Sequence, residues 1–192
     1  MLQNQAEMAY SAEVMNALER SLSTDRLNRY VIQAKGDKEK AIRFHEHNTE
    51  VAEGLFGVIQ GLEITFRNSV HRTLKKEIGF DNWYDHIGLE NPEAEALFIA
   101  KEAVSIRHKP PTPPRVIAKL GFGFWVRLTS GDYEKAIWVP FLYKVFPLRA
   151  NRRAVNLRLN SIKELRNKIA HHERIIDRDL KTEYLAILET LA

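Results

Sequence analysis

No cysteine occurs in the 192 residues. That excludes disulfides and thiolate metal sites and is compatible with a reducing compartment. Long apolar runs are missing as well: none approaches a membrane span, and Met1-Leu2-Gln3-Asn4 begins nothing like a signal peptide. The expected location is the cytoplasm, with no membrane partner. Alternating strand-like segments, internal repeats and low-complexity tails are also lacking, so the expected fold class is an all-α helical bundle. The glycine–aromatic run Gly121-Phe122-Gly123-Phe124-Trp125 has neither the further glycine, the lysine–serine pair nor the preceding strand of a phosphate loop. Its rings read as core packing, with a base-stacking surface as the alternative.

What is present is an ordinary globular composition, 44% hydrophobic and 28% charged. The length suits a single all-α domain over residues 1–192. The net charge of +4 is unevenly spread: −5 over residues 1–100, +9 over 101–158 and zero over 159–192. A basic block directly before a candidate site is where a polyanion would be held, although a solvated helix face gives the same pattern.

That candidate site is Leu165-Arg166-Asn167-Lys168-Ile169-Ala170-His171-His172-Glu173. Arginine offers a permanently charged fork suited to phosphate oxygens. Histidine exchanges protons near neutrality. Together they suffice for phosphodiester cleavage without a metal, a proton-transfer group beside a charge that stabilises a crowded phosphorane. On an unbroken helix Arg166 and His171 would stand roughly 140° apart, whereas Asn167 and His171 would share a side. Ile162, Leu165, Ile169 and His172 follow an apolar-type stripe, so His171 is the expected exposed imidazole and His172 a packed or helix-end one.

The run Arg166-Asn167-x-x-x-His171 resembles the RxxxxH signature of the HEPN superfamily, and the following His172-Glu173 resembles its Abi-like (abortive infection) branch. Leu62-Glu63 leading to Arg67-Asn68, Trp83-Tyr84, the run at 121–125, Trp138 and Phe146-Pro147 add to the likeness, which spans roughly Tyr30 to Ile175. The resemblance implies a HEPN-like core over about 37–192, with residues 1–36 either an appendage or part of the bundle. It also implies a metal-independent endoribonuclease with no cofactor, its site composed between two subunits, acting as a phage-defence or toxin effector. One imidazole is too few for a base at the 2′-OH and an acid at the departing 5′-oxygen, which favours a homodimer. Only RNA carries the internal nucleophile.

The catalytic candidates are therefore Arg166, Asn167 and His171, with His172, Glu173 and Arg67 as supporting residues. Glu173 would orient an imidazole or pair with Arg174, and His71 lies one turn on from Arg67. Candidates for the RNA backbone are Arg149, Arg152, Arg153, Arg158, Lys163 and Lys168. A metal site from His171, His172 and Glu173 is disfavoured, since adjacent residues diverge on a helix, and His45 and His47 are no better spaced. A non-catalytic RNA- or nucleotide-binding module is the competing reading, and an antitoxin or other regulatory partner is left open.

Along the chain, helices are expected over 6–22, 26–35, 37 to about 48 and 49–78, with Thr49 either restarting or continuing the third. Gly54, Gly57 and Gly61 point to close approach of another backbone, a neighbouring helix of the same chain or a second subunit. Gly79 ends that helix, and Asn91-Pro92-Glu93 starts the next with a cap, a first-position proline and a first-turn acid, reaching about Arg107. Lys109 to Pro114 reads as a non-helical connector, followed by a helix from Arg115. A helix capped by Asp132 runs to Trp138, a basic one spans Arg149 to Ala170, and Asp179 starts the last.

Overall fold

In the computed structural model, which describes residues 10–105, 110–147 and 150–191, every regular element is helical. The order is α1 (Ala12–Leu22), α2 (Thr24–Gln33), α3 (Lys38–Ile78), α4 (Asn91–Val104), α5 (Pro113–Lys119), α6 (Phe122–Arg127), α7 (Arg152–Ala170) and α8 (Leu180–Leu191). Short 3₁₀ and π turns fill the connection from α6 to α7. The all-α expectation holds. No helix among the described residues is long and apolar enough to cross a membrane.

The other helices assemble on α3. Asp37 caps it, accepting the Lys40 N–H at 3.0 Å, and Thr49 continues rather than restarts it, giving 41 residues or roughly 60 Å. Gly79 closes it at φ +89°, its N–H on the Lys75 carbonyl at 2.9 Å. Leu55, Ile59, Leu62, Phe66, Val70 and Leu74 form its buried stripe. Against them pack Trp83, Leu97, Phe122, Phe124, Trp125, Leu159 and Leu165, so the run at 121–125 is core and not a stacking surface. A second, smaller apolar cluster of Leu27, Tyr30, Ala34, Ala41 and Ile42 joins α2 to the start of α3, with Ile176 packed against it.

Several local expectations are corrected. A Cβ built on Gly54, Gly57 or Gly61 meets nothing within 4 Å, so among the described residues no helix closely approaches that side of α3. Asn91 is the first helical residue of α4 and Glu90 the capping position, without a side-chain cap. Glu93 is in the first turn as expected and is also buried: it accepts the Tyr133 hydroxyl at 2.7 Å, while that oxygen accepts the Glu90 N–H at 2.8 Å. Pro113 and Pro114 form the first turn of α5, where a missing N–H costs nothing. The segment 134–138 is a π turn, not an α-helix, and Asp132 pairs with Arg127 at 2.7 Å instead of capping it. Ile137 and Trp138 of this turn are buried, as is Tyr133 of the 3₁₀ turn before it. α4 stops at Val104, short of Arg107, which with Lys109 and residues 6–9 lies outside the described residues.

His71 belongs to this core rather than to the motif. The buried Trp83 indole donates to its Nδ1 at 3.0 Å, so the ring must stay neutral on that nitrogen. Burial pushes its pKa below the usual histidine range, with Lys75 adding to the shift. The unfolded ring titrates near about pH 6.5, so this contribution is complete above that pH and is lost as the pH falls below it. The melting temperature should therefore drop between neutral pH and pH 5, and His71→Gln should flatten part of that drop. Identical slopes for the two chains would remove His71 as a cause.

Candidate functional site

The motif lies at the C-terminal end of α7. Asn151 caps that helix, its Oδ1 accepting the Ala154 N–H at 3.1 Å, and Arg149, outside the described residues, precedes it. Leu159, Ile162, Leu165 and Ile169 are buried, which sets the rotation of the helix. It does not continue through the motif. His171 is the capping residue, and His172 takes the left-handed conformation at φ +54°. The His172 N–H bonds to the Ile169 carbonyl at 3.0 Å and the Glu173 N–H to that of Lys168 at 2.8 Å. This is a Schellman turn with histidine where glycine is usual. His172, expected as a packed or a helix-end histidine, is the helix-end one and is exposed, as is His171. A left-handed non-glycine residue costs on the order of 1–3 kcal/mol and persists only where its surroundings hold it.

Asn48, on α3 and buried, does the holding. Its Oδ1 accepts the N–H groups of Ile175 at 2.7 Å and Ile176 at 3.3 Å, and its Nδ2 donates to the Glu173 carbonyl at 3.3 Å. Arg174 adds a second tie: it donates to the Arg29 main-chain oxygen at 3.0 Å and to Gln33 Oε1 at 2.6 Å, pairs with Asp177, and lies 5.0 Å over the Tyr30 ring. α2 is thus seated against the motif.

Arg166 is held by Glu63 of α3, its Nε donating to Oε1 at 2.8 Å. Arg67, one turn further along α3, donates to its neighbour Asn68 at 3.3 Å. Asn167 is exposed, and its carbonyl accepts the His171 N–H at 2.9 Å. Glu173 pairs with Lys168 at 2.9 Å, not with Arg174. The Lys168 hydrogen bond holds its carboxyl below the usual range.

The remaining cations of α7 have largely internal duties. Arg152 donates to the Thr129 carbonyl at 3.1 Å and lies 3.4 Å from Glu134, Arg158 pairs with Glu189 at 3.2 Å, and Lys163 donates to Asn160 at 2.8 Å. Arg153 is exposed.

Two adjoining hollows flank the motif. One, of about 510 Å³, is lined by Arg26, Arg29, Tyr30, His171, His172 and Arg174, with Ser23, Asp25 and Glu173. The other, of about 640 Å³, is lined by Arg26, His45, Asn48, Phe56, Arg166 and His172 among others. Arg26, His172 and Glu173 border both. Arg166 and His171 therefore open into different hollows of one chain, in line with their angular separation. A further hollow of about 690 Å³ lies against α8 and has no histidine in its lining. Among the described residues no three His, Asp or Glu side chains converge on a common point suited to a metal ion.

Sequence reasoning missed Arg26, Arg29, Asn48 and the tie from Glu63 to Arg166. The Arg26–Arg29 spacing of three was readable as one helix side, but nothing in the sequence brings α2 to the motif. What the fold and site define is an all-α protein with an arginine–histidine constellation at one helix end. Comparison with protein-family models, with curated proteins and with solved structures returns no match.

Asn48→Ala leaves two backbone donors of the motif loop without a partner, at about 1–3 kcal/mol for each buried one. Urea unfolding should show a loss of roughly 2–4 kcal/mol in total, larger than for a surface asparagine. A loss under about 0.5 kcal/mol would mean that the loop holds itself.

Proposed function

We propose that this chain is a metal-independent endoribonuclease of the Abi-like, HEPN type, working as a homodimer and serving as a phage-defence or toxin effector. The observation that carries the reading is the exposed His171 beside a hollow with Arg26 and Arg29 in its wall, one turn from an Arg166 oriented by Glu63. The bond to Glu63 engages Nε, which leaves the terminal nitrogens of the Arg166 fork for a phosphate oxygen.

In the reaction, one His171 imidazole takes the proton of a ribose 2′-OH. The 2′-oxygen attacks phosphorus, a P–O2′ bond forms and the P–O5′ bond breaks. The second copy's His171, protonated, gives its proton to the departing O5′. Arg166 stabilises the extra negative charge of the phosphorane. The products carry a 2′,3′-cyclic phosphate and a 5′-hydroxyl.

The open side of α3 supports a two-fold partner. Gly54, Gly57 and Gly61 leave its backbone uncovered, with the exposed Ile64 on the same side. Phe56, exposed at the same level of α3 but on an adjacent side, lines the hollow of Arg166 and His172, so the open stretch lies alongside the motif. Two copies meeting there would place two sets of motif residues at one axis.

In EDTA, the purified chain should cleave labelled RNA to cyclic-phosphate ends. His171→Ala should lower the rate about 10²–10⁴-fold and Arg166→Ala about 10²–10³-fold, with circular dichroism unchanged. Cleavage at the original rate by His171→Ala would sink the reading. RNA binding without cleavage by the unsubstituted chain would leave the non-catalytic module in its place. Gly61→Arg should halve the solution mass and abolish cleavage, whereas an intact, active dimer would move the interface elsewhere.

A further inference from the structure

We propose that α2 supplies a phosphate subsite to the motif: Arg26 and Arg29, beside His171, hold the phosphate next to the scissile one in a single strand of RNA. The inference rests on the ribonuclease reading and names a part of the site that lies outside the RxxxxH motif.

The hollow in question has two walls. One is the segment from Ser23 to Tyr30, the other His171 to Arg174. Arg26 and Arg29 stand three apart on α2, so they share a side of that helix, and both are exposed. Opposite them α7 ends, and its last carbonyls give that wall roughly half a negative charge. A helix C-terminus alone therefore repels a phosphate. Anion binding beside His171 requires cations from another element, and α2 brings two.

The acids in the hollow are outnumbered, Asp25 and Glu173 facing Arg26, Arg29 and Arg174, although Glu173 feels the charge of Arg29. Glu173 is engaged by Lys168, and Asp25 is the other carboxylate present. Arg174 is the third guanidinium, but its role is internal. It grips α2 through the main-chain oxygen of Arg29 and through Gln33, which leaves the Arg29 side chain uncommitted by that bond. The same grip fixes the distance between the α2 arginines and His171 before any ligand arrives, so little ordering accompanies binding.

Arg26 borders the Arg166 hollow as well. It thus stands between the two motif residues that open in different directions, where a backbone passing from one hollow to the other must cross. Such a path accommodates a flexible single strand, whereas double-stranded RNA is met across its broad minor groove.

The test measures binding of a short labelled single-stranded RNA by fluorescence anisotropy over a range of salt, with every chain carrying His171→Ala so that cleavage does not interfere. Adding Arg26→Ala with Arg29→Ala should weaken binding about tenfold or more. It should also make the dependence of log affinity on log salt shallower by roughly 0.7 per lost contact. Arg26→Lys with Arg29→Lys should recover most of the affinity. Should alanine loosen α2 in a thermal melt, the Gln pair, which keeps length and removes charge, replaces it. Unchanged affinity and slope in a chain that still binds RNA overturn the subsite alone. An unsubstituted chain that neither binds nor cleaves RNA overturns the subsite and the ribonuclease reading together.

Discussion

The position of the histidines depends on one buried amide. Asn48 offers an acceptor to two backbone donors and a donor to one carbonyl of the segment after His172. In a setting with little access to water, leaving those groups unmatched would cost about 1–3 kcal/mol for each. The chain is therefore obliged to turn where Asn48 stands, and that turn ends α7 at His171 in place of carrying the helix past it. The left-handed backbone at His172 is the local strain that accompanies this turn.

The rest of the site is hung from the same long helix. Glu63 directs Arg166 from four turns further along α3, and α2 is laid against the first turns of α3 by Leu27, Tyr30 and Ile42. Arg174 then closes the arrangement from the motif side. A helix terminus poor in positive potential is thereby given guanidinium groups from a separate element. The proposed chemistry draws on this: imidazoles at a solvent-facing helix end, a fork held by a carboxylate, and cations brought in from α2.

Much of the framework could be read from residue pattern. The stripe from Leu55 to Leu74, the cap at Asp37, the glycine at 79 and the inward face of α7 follow from spacing and local chemistry alone. The errors share a cause. Glu93 is the first-turn acid expected, but its burial was not legible because its partner Tyr133 lies 40 residues away. The basic run before the motif looked like free charge, although Glu189, Glu134 and Thr129 engage Arg158 and Arg152. Gly54, Gly57 and Gly61 suggested a neighbouring helix or a second subunit, and among the described residues no neighbouring helix covers them. Arg26 and Arg29 showed only a shared helix side, since what gives them meaning is a fold contact with residues some 145 positions later.

That long separation sets an order of events during synthesis. Asn48, Glu63 and the α2 arginines leave the ribosome long before His171, and α3 can already be helical while the motif is still untranslated. The ties from α2 and α3 to the motif span more than a hundred residues. The arrangement consequently cannot exist on a nascent chain that has not reached residue 176. A ribosome translating this message would have to pass residue 176 before meeting an assembled form of the site.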